Sequence, residues 1–284
     1  MKILVLPDIH GRKFWVEPCK HIEDYDKIVF LGDYMDPYDF EHISVHEALE
    51  NFDNILAFAD AHKDKVTLIL GNHDMPYFSE KYKSFSWYHS RHSKEYCNDI
   101  SQRFEEYKDL FKIADVADDV LFTHAGCTPV WIMTVFTKQY KLTSLEDLAF
   151  SLNNLLNTDK GLEYLYMISA DRGGLDKYAS CIWADASETM WYQYQLKEPN
   201  LSVSETALQI MKIKQVFGHT LQAFYNEDYS IRYGDVIEFM NNKMLDNCKA
   251  YVLDTETFTI EKNIKEIFKN DKQQYCNMYS KLWT

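Results

Sequence analysis

The stretch VTLILGNHDMP, residues 66–76, runs as a short, mostly aliphatic segment and stops on Gly71, Asn72, His73 and Asp74. A run of this length bounded by a turn signal predicts a buried β-strand over Val66–Leu70. Its ending is odd for a core strand: a glycine, then three polar side chains able to hold a metal ion or a proton. The same ending recurs along the chain. Residues 2–6 run into PDIHGR with Asp8 and His10, 28–31 into GDYMD with Asp33 and Asp36, 120–123 into HAG with His124, and 213–217 into GHT with His219. Ligand sites in α/β sheets collect beyond the carboxyl ends of strands. A fold that gathers these ends on one edge would set Asp8, His10, Asp33, Asn72, His124 and His219 around one or two divalent ions. A glycine beside each end (Gly11, Gly32, Gly71, Gly126, Gly218) permits a sharp turn and a close ligand.

Between the first strands, Ser44–Asp60 reads as a helix. Val45, Leu49, Phe52, Leu56 and Ala59 recur at helical spacing, and Ser44 with Glu47 makes a capping box. The strand–helix–strand alternation predicts an α/β fold. Residues 75–118 differ in character: YFSEKYKSFSWYHSRH is dense in aromatic rings, more in keeping with an insertion's core than with a substrate platform, and a helix is expected around 94–112. Residues 131–212 read as mostly helical, with Ser144 and Asp147 opening a helix whose Leu145, Leu148, Leu152 and Leu155 share a face. Strand character returns at 213–217, 230–233, 250–253 and 257–260, and the lysine-rich stretch 262–284 reads as a helix or tail. No repeat or Pro/Gly-rich linker divides the chain. A single domain, 1–284, is expected, with insertions at about 75–118 and 131–212.

The formal net charge of −14 argues against extended nucleic-acid binding, which needs clustered Lys and Arg. It does not exclude a small phosphorylated substrate, because bound divalent ions reverse the local field. The cysteines at 19, 97, 127, 181, 248 and 276 form no CxxC pair, so reduced thiols in a cytoplasmic protein are expected. No apolar stretch approaches the ~20 residues of a membrane helix. The opening MKILVLPDIHG is expected to be the first strand rather than a leader. Oligomeric state is left open.

Imidazole, carboxylate and amide oxygen suit Mn, Fe, Zn or Ni better than Ca or Mg alone. DIHG, GDYMD, GNHD, THAG and GHT, in this order over residues 8–220, resemble the calcineurin-like metallophosphoesterases, above all the phosphoprotein phosphatase branch and its bacterial and phage relatives. The resemblance implies an α/β sandwich: two mixed β-sheets packed face to face, flanked by helices, with a helical cap over the metal edge. It also implies two divalent metal ions, Mn²⁺ first, with Fe, Zn or Ni as alternatives. Asp8 and His10 would hold one ion, Asp33 would bridge, and Asn72, His124 and His219 would hold the other. A metal-bridging hydroxide would attack phosphorus while His73, oriented by Asp36, gives a proton to the leaving group. The implied activity is phosphomonoester hydrolysis of the serine/threonine-phosphatase type, on a phosphorylated small molecule or a phosphoprotein. Hydrolysis of a dinucleotide polyphosphate or a phosphodiester is the alternative. A scaffold without catalysis would be expected to lack ligands or the proton donor, and here every such position is filled.

The chain also departs from that pattern. Phosphoprotein phosphatases usually follow the second aspartate of GDxxD with Arg-Gly, whose arginine contacts phosphate; here Pro37 and Tyr38 follow Asp36. Arg172, in ADRGGLDKYASCIWADAS, and Arg12, after DIHG, are the candidate replacements, with Asp185 supporting Arg172. A planar guanidinium suits bidentate contact with phosphate. GHT lacks the further histidine of the GHTH motif found in phosphodiesterase-like relatives, which favours the monoesterase branch. The remaining histidines (His21, His42, His46, His62, His89 and His92) read as surface residues.

Overall fold

From Ile3 onward every side chain of the first strand, β1 (Lys2–Leu6), is buried, because both faces of its sheet are covered. The computed structural model describes residues 1–86, 94–136, 143–185, 209, 212–220, 230–233, 236–239 and 250–263. The further strands are β2 (Lys27–Phe30), β3 (Val66–Ile69), β4 (Phe111–Lys112), β5 (Ala114–Ala117), β6 (Val120–Thr123), β7 (Lys214–Phe217), β8 (Ser230–Tyr233), β9 (Val236–Phe239), β10 (Tyr251–Asp254) and β11 (Thr259–Asn263). They form two mixed sheets, ordered β11-β10-β1-β2-β3-β4 and β5-β6-β7-β9-β8. β1 through β4 run parallel, as do β6, β7 and β9, so their carboxyl ends point one way.

The period-two alternation of side chains assigns each strand's residues to two layers. Ile3, Val5, Val29 and Ile69 meet Val120, Phe122 and Val216 of the other sheet in the core between the sheets. Leu4, Leu6, Ile28, Phe30 and Leu68 face the helices. Those helices are α1 (Val16–Cys19), α2 (Val45–Ala61), α3 (Met75–Phe78), α4 (Glu80–Ser86), α5 (Cys97–Glu106), α6 (Pro129–Val135), α7 (Leu145–Asn153) and α8 (Asp159–Leu165). The result is the expected α/β sandwich of two mixed sheets flanked by helices.

Local signals account for much of this. Ser44 caps α2 through the reciprocal pair with Glu47, and α2 buries Leu49, Phe52, Ile55, Leu56 and Ala59. Ser144 likewise caps α7 by accepting the Asp147 N–H. Part of the aromatic segment becomes core, as expected: Tyr77 and Tyr82 are buried, and beyond it Phe104 of α5 packs 4.8 Å from Phe52 and 4.9 Å from Phe111 of β4.

The helix expected over 94–112 is shorter, Cys97–Glu106, and residues 111–117 carry strands β4 and β5. β5 and β6 form a hairpin that turns at Asp118, where φ is +50°. Aspartate tolerates this left-handed turn conformation, and the aromatic richness upstream masked the hairpin. Of 131–212, the described part is helical through α8 and then irregular from Met167 to Asp185, apart from one short 3₁₀ turn at Ala170–Arg172. His21, His42 and His46 are exposed, as expected, and His62 is half-buried. Residues 186–208, His89, His92 and the tail beyond 263 lie outside the described residues. Among the described residues, no helix is long and apolar enough to cross a membrane.

Candidate metal centre

Register brings the strand ends level. Leu6 pairs with Phe30, and Phe30 with Leu68, so the loops after β1, β2 and β3 emerge side by side. Backbone hydrogen bonds continue past the strands: Ile9, His10 and Gly11 donate to the carbonyls of Gly32, Asp33 and Tyr34. The second sheet joins through Gly218, which donates to the His124 carbonyl at 2.8 Å, and through His219, whose N–H donates to Asp8 Oδ2 at 2.9 Å. All five strand ends therefore meet at one place. Asp8, His10, Asp33, Asp36 and His219 each have a positive φ, between 29° and 74°. This is the left-handed region, in which Asp and His are over-represented among non-glycine residues.

The donor atoms converge. Asp33 Oδ2 lies 3.4 Å from His10 Nε2 and 3.5 Å from His124 Nε2. His10 Nδ1 is 2.9 Å from the Met35 carbonyl and His124 Nδ1 2.7 Å from the Leu31 carbonyl. A carbonyl can only accept, so each ring carries its proton on Nδ1 and turns the Nε2 lone pair inward. This is the arrangement of metal-binding histidines, whose second nitrogen donates to an outer partner. His124 Nε2 also faces Asn72 Oδ1 at 3.1 Å and His219 Nδ1 at 3.0 Å. Burial, and next the positive charge of Arg172, hold His219 well below the usual imidazole range, so it is neutral, as a ligand must be. Asp33 Oδ2, His10 Nε2, His124 Nε2 and Asn72 Oδ1 aim lone pairs at one another inside a buried site, which calls for a cation between them. Two groups of ligand atoms, His10–Asp33–His73 and Asp33–His124–His219, each lie within 4.8 Å of one another and share Asp33. The residues present therefore fit two ions with a common carboxylate.

One placement refines the sequence reading. By distance the first group contains His73, while Asp8 sits slightly apart, with Oδ2 on the His219 N–H. His73 differs from the other imidazoles in its partner: its Nδ1 lies 2.9 Å from Asp36 Oδ2, a carboxylate and not a carbonyl. That pairing keeps a proton on Nδ1. The His73 backbone N–H donates to Asp33 Oδ1 at 2.9 Å and so fixes the shared carboxylate.

Arg172 reaches the same centre from the irregular segment. Its Nη2 is 2.5 Å from His219 Nε2 and its Nη1 3.5 Å from Asp185 Oδ2. Trp183 stacks edge-on against His219, 6.1 Å between centroids. Arg12 is turned differently. Its Nε donates to Glu41 at 2.6 Å, its Nη1 donates to the Asp8 carbonyl at 3.1 Å, and its guanidinium lies over the Tyr38 ring. It braces the first loop.

Asp74 is a residue whose part the sequence reading left open. Fully buried, it accepts N–H groups from Asp33 (2.7 Å), Tyr34 (2.8 Å) and Gly71 (2.8 Å), clamping the β2 and β3 loops together. The clamp works because the loops touch backbone to backbone: a Cβ on Gly32, whose φ is +104°, would lie 2.5 Å from the Gly71 nitrogen. A Cβ on Gly71 would lie 2.1 Å from Asp33 Oδ1 and 2.8 Å from His124 Cε1. Gly71→Ala is accordingly expected to push Asp33 off its position, lowering stability by about 1–3 kcal/mol and reducing bound metal below the wild-type ratio. Thermal denaturation and elemental analysis check this. Unchanged metal content would mean that Asp33 can move without consequence.

Comparison with known proteins follows this geometry. A family model described as calcineurin-like phosphoesterase matches residues 1–223. No curated protein matches. Among solved structures, the cold-active protein-tyrosine phosphatase of a psychrophilic Shewanella is 17% identical, covering 89% of this chain and 75% of its own, with a TM-score of 0.51. Another structure of a cold-active protein tyrosine phosphatase, also 17% identical, covers 89% and 73%, with a TM-score of 0.52. A phosphoesterase from E. coli covers 93% and 98% at 10% identity and a TM-score of 0.33. At 17% identity the two phosphatase neighbours speak to the fold alone.

Proposed function

The chain belongs to the calcineurin-like phosphoesterase family, metal-dependent hydrolases of phosphoester bonds, and we propose that within it this protein is a cytoplasmic phosphomonoesterase of the serine/threonine-phosphatase type. The observation that carries the monoester reading is Arg172, whose guanidinium stands at the metal centre beside His219 and is oriented by Asp185. A planar fork of donors matches two of the three non-bridging oxygens of a terminal phosphoryl group; a diester has one fewer such oxygen and one fewer charge to offer it. The name of the Shewanella neighbour, protein-tyrosine phosphatase, makes aryl phosphates natural first substrates to try.

In this reading Asp8, His10 and Asp33 hold one ion, and Asp33, Asn72, His124 and His219 the other, with Mn²⁺ the first choice. Bound there, divalent ions supply an activated water and neutralise the phosphoryl oxygens. The protein's own groups do the rest. Arg172 binds and orients the phosphoryl group. The backbone of His73 holds Asp33 by its outer oxygen. Asp36 fixes the His73 ring so that Nε2–H faces the departing oxygen, and His73 gives that proton as the bond to phosphorus breaks.

A panel of phosphomonoesters, phosphodiesters, phosphoserine, phosphothreonine and phosphotyrosine peptides, and dinucleotide polyphosphates, assayed with Mn²⁺, tests the substrate class. Faster turnover of a diester or an anhydride than of every monoester would overturn it. Arg172→Ala is expected to cost about 2–4 kcal/mol of transition-state stabilisation in kcat/KM. Arg12→Ala should cost less, since that side chain is engaged with Glu41 and the Asp8 carbonyl. An Arg172→Ala enzyme with wild-type kcat/KM would remove Arg172 from the phosphate site.

A further inference from the structure

One oxygen of the Asp36 carboxylate, Oδ2, faces His73 Nδ1 at 2.9 Å. Its other oxygen, Oδ1, lies 2.5 Å from the hydroxyl of Tyr77. We propose that Tyr77 is a positioning residue for the reaction: by donating to Oδ1 it locks the Asp36 carboxylate in the plane and direction that keep Oδ2 on His73, and so keeps His73 aimed at the leaving group. This rests on the reading of His73 as proton donor and goes beyond it, since neither the sequence motifs nor the comparisons assign Tyr77 any part.

The arrangement is built, not incidental. Asp36 sits in the left-handed region, φ +59°, on an irregular loop, so its backbone gives its side chain little guidance. Orientation must come from the carboxylate's partners, and His73 holds only one end. Tyr77 comes from the strand end that carries His73. The chain passes from His73 through Asp74 directly into α3, so His73 and Tyr77 leave the same short turn. His73 and Tyr77 thereby close on Asp36 from one side, at 2.9 Å and 2.5 Å. The phenol is itself immobilised: Tyr77 is 2% exposed and lies parallel to Phe104 of α5, with 2° between the rings and 6.4 Å between centroids. A hydroxyl donated to a buried carboxylate is among the stronger hydrogen bonds a side chain can make. Were the site merely filling space, an apolar ring would serve; the hydroxyl is placed on the oxygen that His73 does not use.

Tyr77→Phe removes the hydroxyl and keeps the stack on Phe104. It should be compared with His73→Asn on two monoesters, one with a good leaving group (p-nitrophenyl phosphate) and one with a poor alkoxide leaving group (phosphoserine). The expected result for Tyr77→Phe is a fall in kcat of roughly ten- to a hundredfold on the poor leaving group, little change on the good one, and unchanged KM and metal content. In the His73→Asn background, Tyr77→Phe should cause no further loss, whereas a purely structural contribution would add. Two results overturn the proposal while leaving His73 as the acid: wild-type kcat for Tyr77→Phe on phosphoserine, or an equal loss on both substrates, in each case with His73→Asn still discriminating between the leaving groups. If His73→Asn itself loses equally on both substrates, the acid assignment fails and the role of Tyr77 fails with it.

Discussion

Treatment with a chelator is expected to abolish phosphoester turnover, and added Mn²⁺ to restore it in part. The expectation follows from the donor set, since Asp33, His10, His124 and Asn72 turn acceptor atoms toward a common space from which water is largely excluded. Without cations these atoms repel one another and the phosphoryl group meets a negative wall. Charge stabilisation by bound ions is worth several kcal/mol, and each ~1.4 kcal/mol is a tenfold change in rate, so a loss of roughly 10³-fold or more is expected. Asp33→Ala should reproduce the effect genetically and lower bound metal at both positions, because its carboxylate is shared between the two groups. Asn72→Ala should weaken one position only. Full turnover by chelator-treated, metal-free protein would disprove a metal-dependent reaction here.

His73→Asn carries the second large effect, roughly 10²–10⁴ in kcat on substrates with a poor leaving group, with both ions retained. The motivation is the contrast among the imidazoles. His10 and His124 back onto carbonyls, whereas His73 backs onto the Asp36 carboxylate. With p-nitrophenolate, which leaves without needing a proton, the loss should shrink. The proximity of His73 to His10 and Asp33 makes metal content the decisive companion measurement. A metal-depleted His73→Asn protein would make His73 a ligand instead of an acid.

The candidate site was legible because each of its parts is local in sequence. A strand, a glycine and one or two of Asp, Asn and His fit within ten residues, and the parallel sheet rule brings the ends together. What escaped the reading depends on contacts between distant segments. Asp74 holds backbone groups of Asp33 and Tyr34, forty or so residues away, and nothing beside it in sequence announces that task. Tyr77 could be read only as one ring in an aromatic stretch. Arg12, next to a ligand motif, looked available for phosphate until Glu41 was found on its Nε. The β5–β6 hairpin was hidden by the composition of the segment before it. Elements set by periodicity and capping came through: α2 lies within a residue of its expected bounds, and α7 opens on Ser144 as expected, with Leu155 in the 3₁₀ turn that follows it.

The left-handed backbone at Asp8, His10, Asp33, Asp36 and His219 limits the alphabet from which such a site can be written. Most side chains pay roughly 1–2 kcal/mol there, whereas Asp, Asn and His are the non-glycine residues found there most often. The same three supply carboxylate, amide oxygen and imidazole. Glutamate and cysteine, good ligands elsewhere, would enter these positions at a conformational disadvantage before any ion was bound. A thiolate at these five positions is thereby disfavoured by geometry alone, against soft ions such as Cu(I), which depend on thiolate or thioether. Selection among metals begins in the φ angles of the chain, ahead of any choice made by the ions themselves.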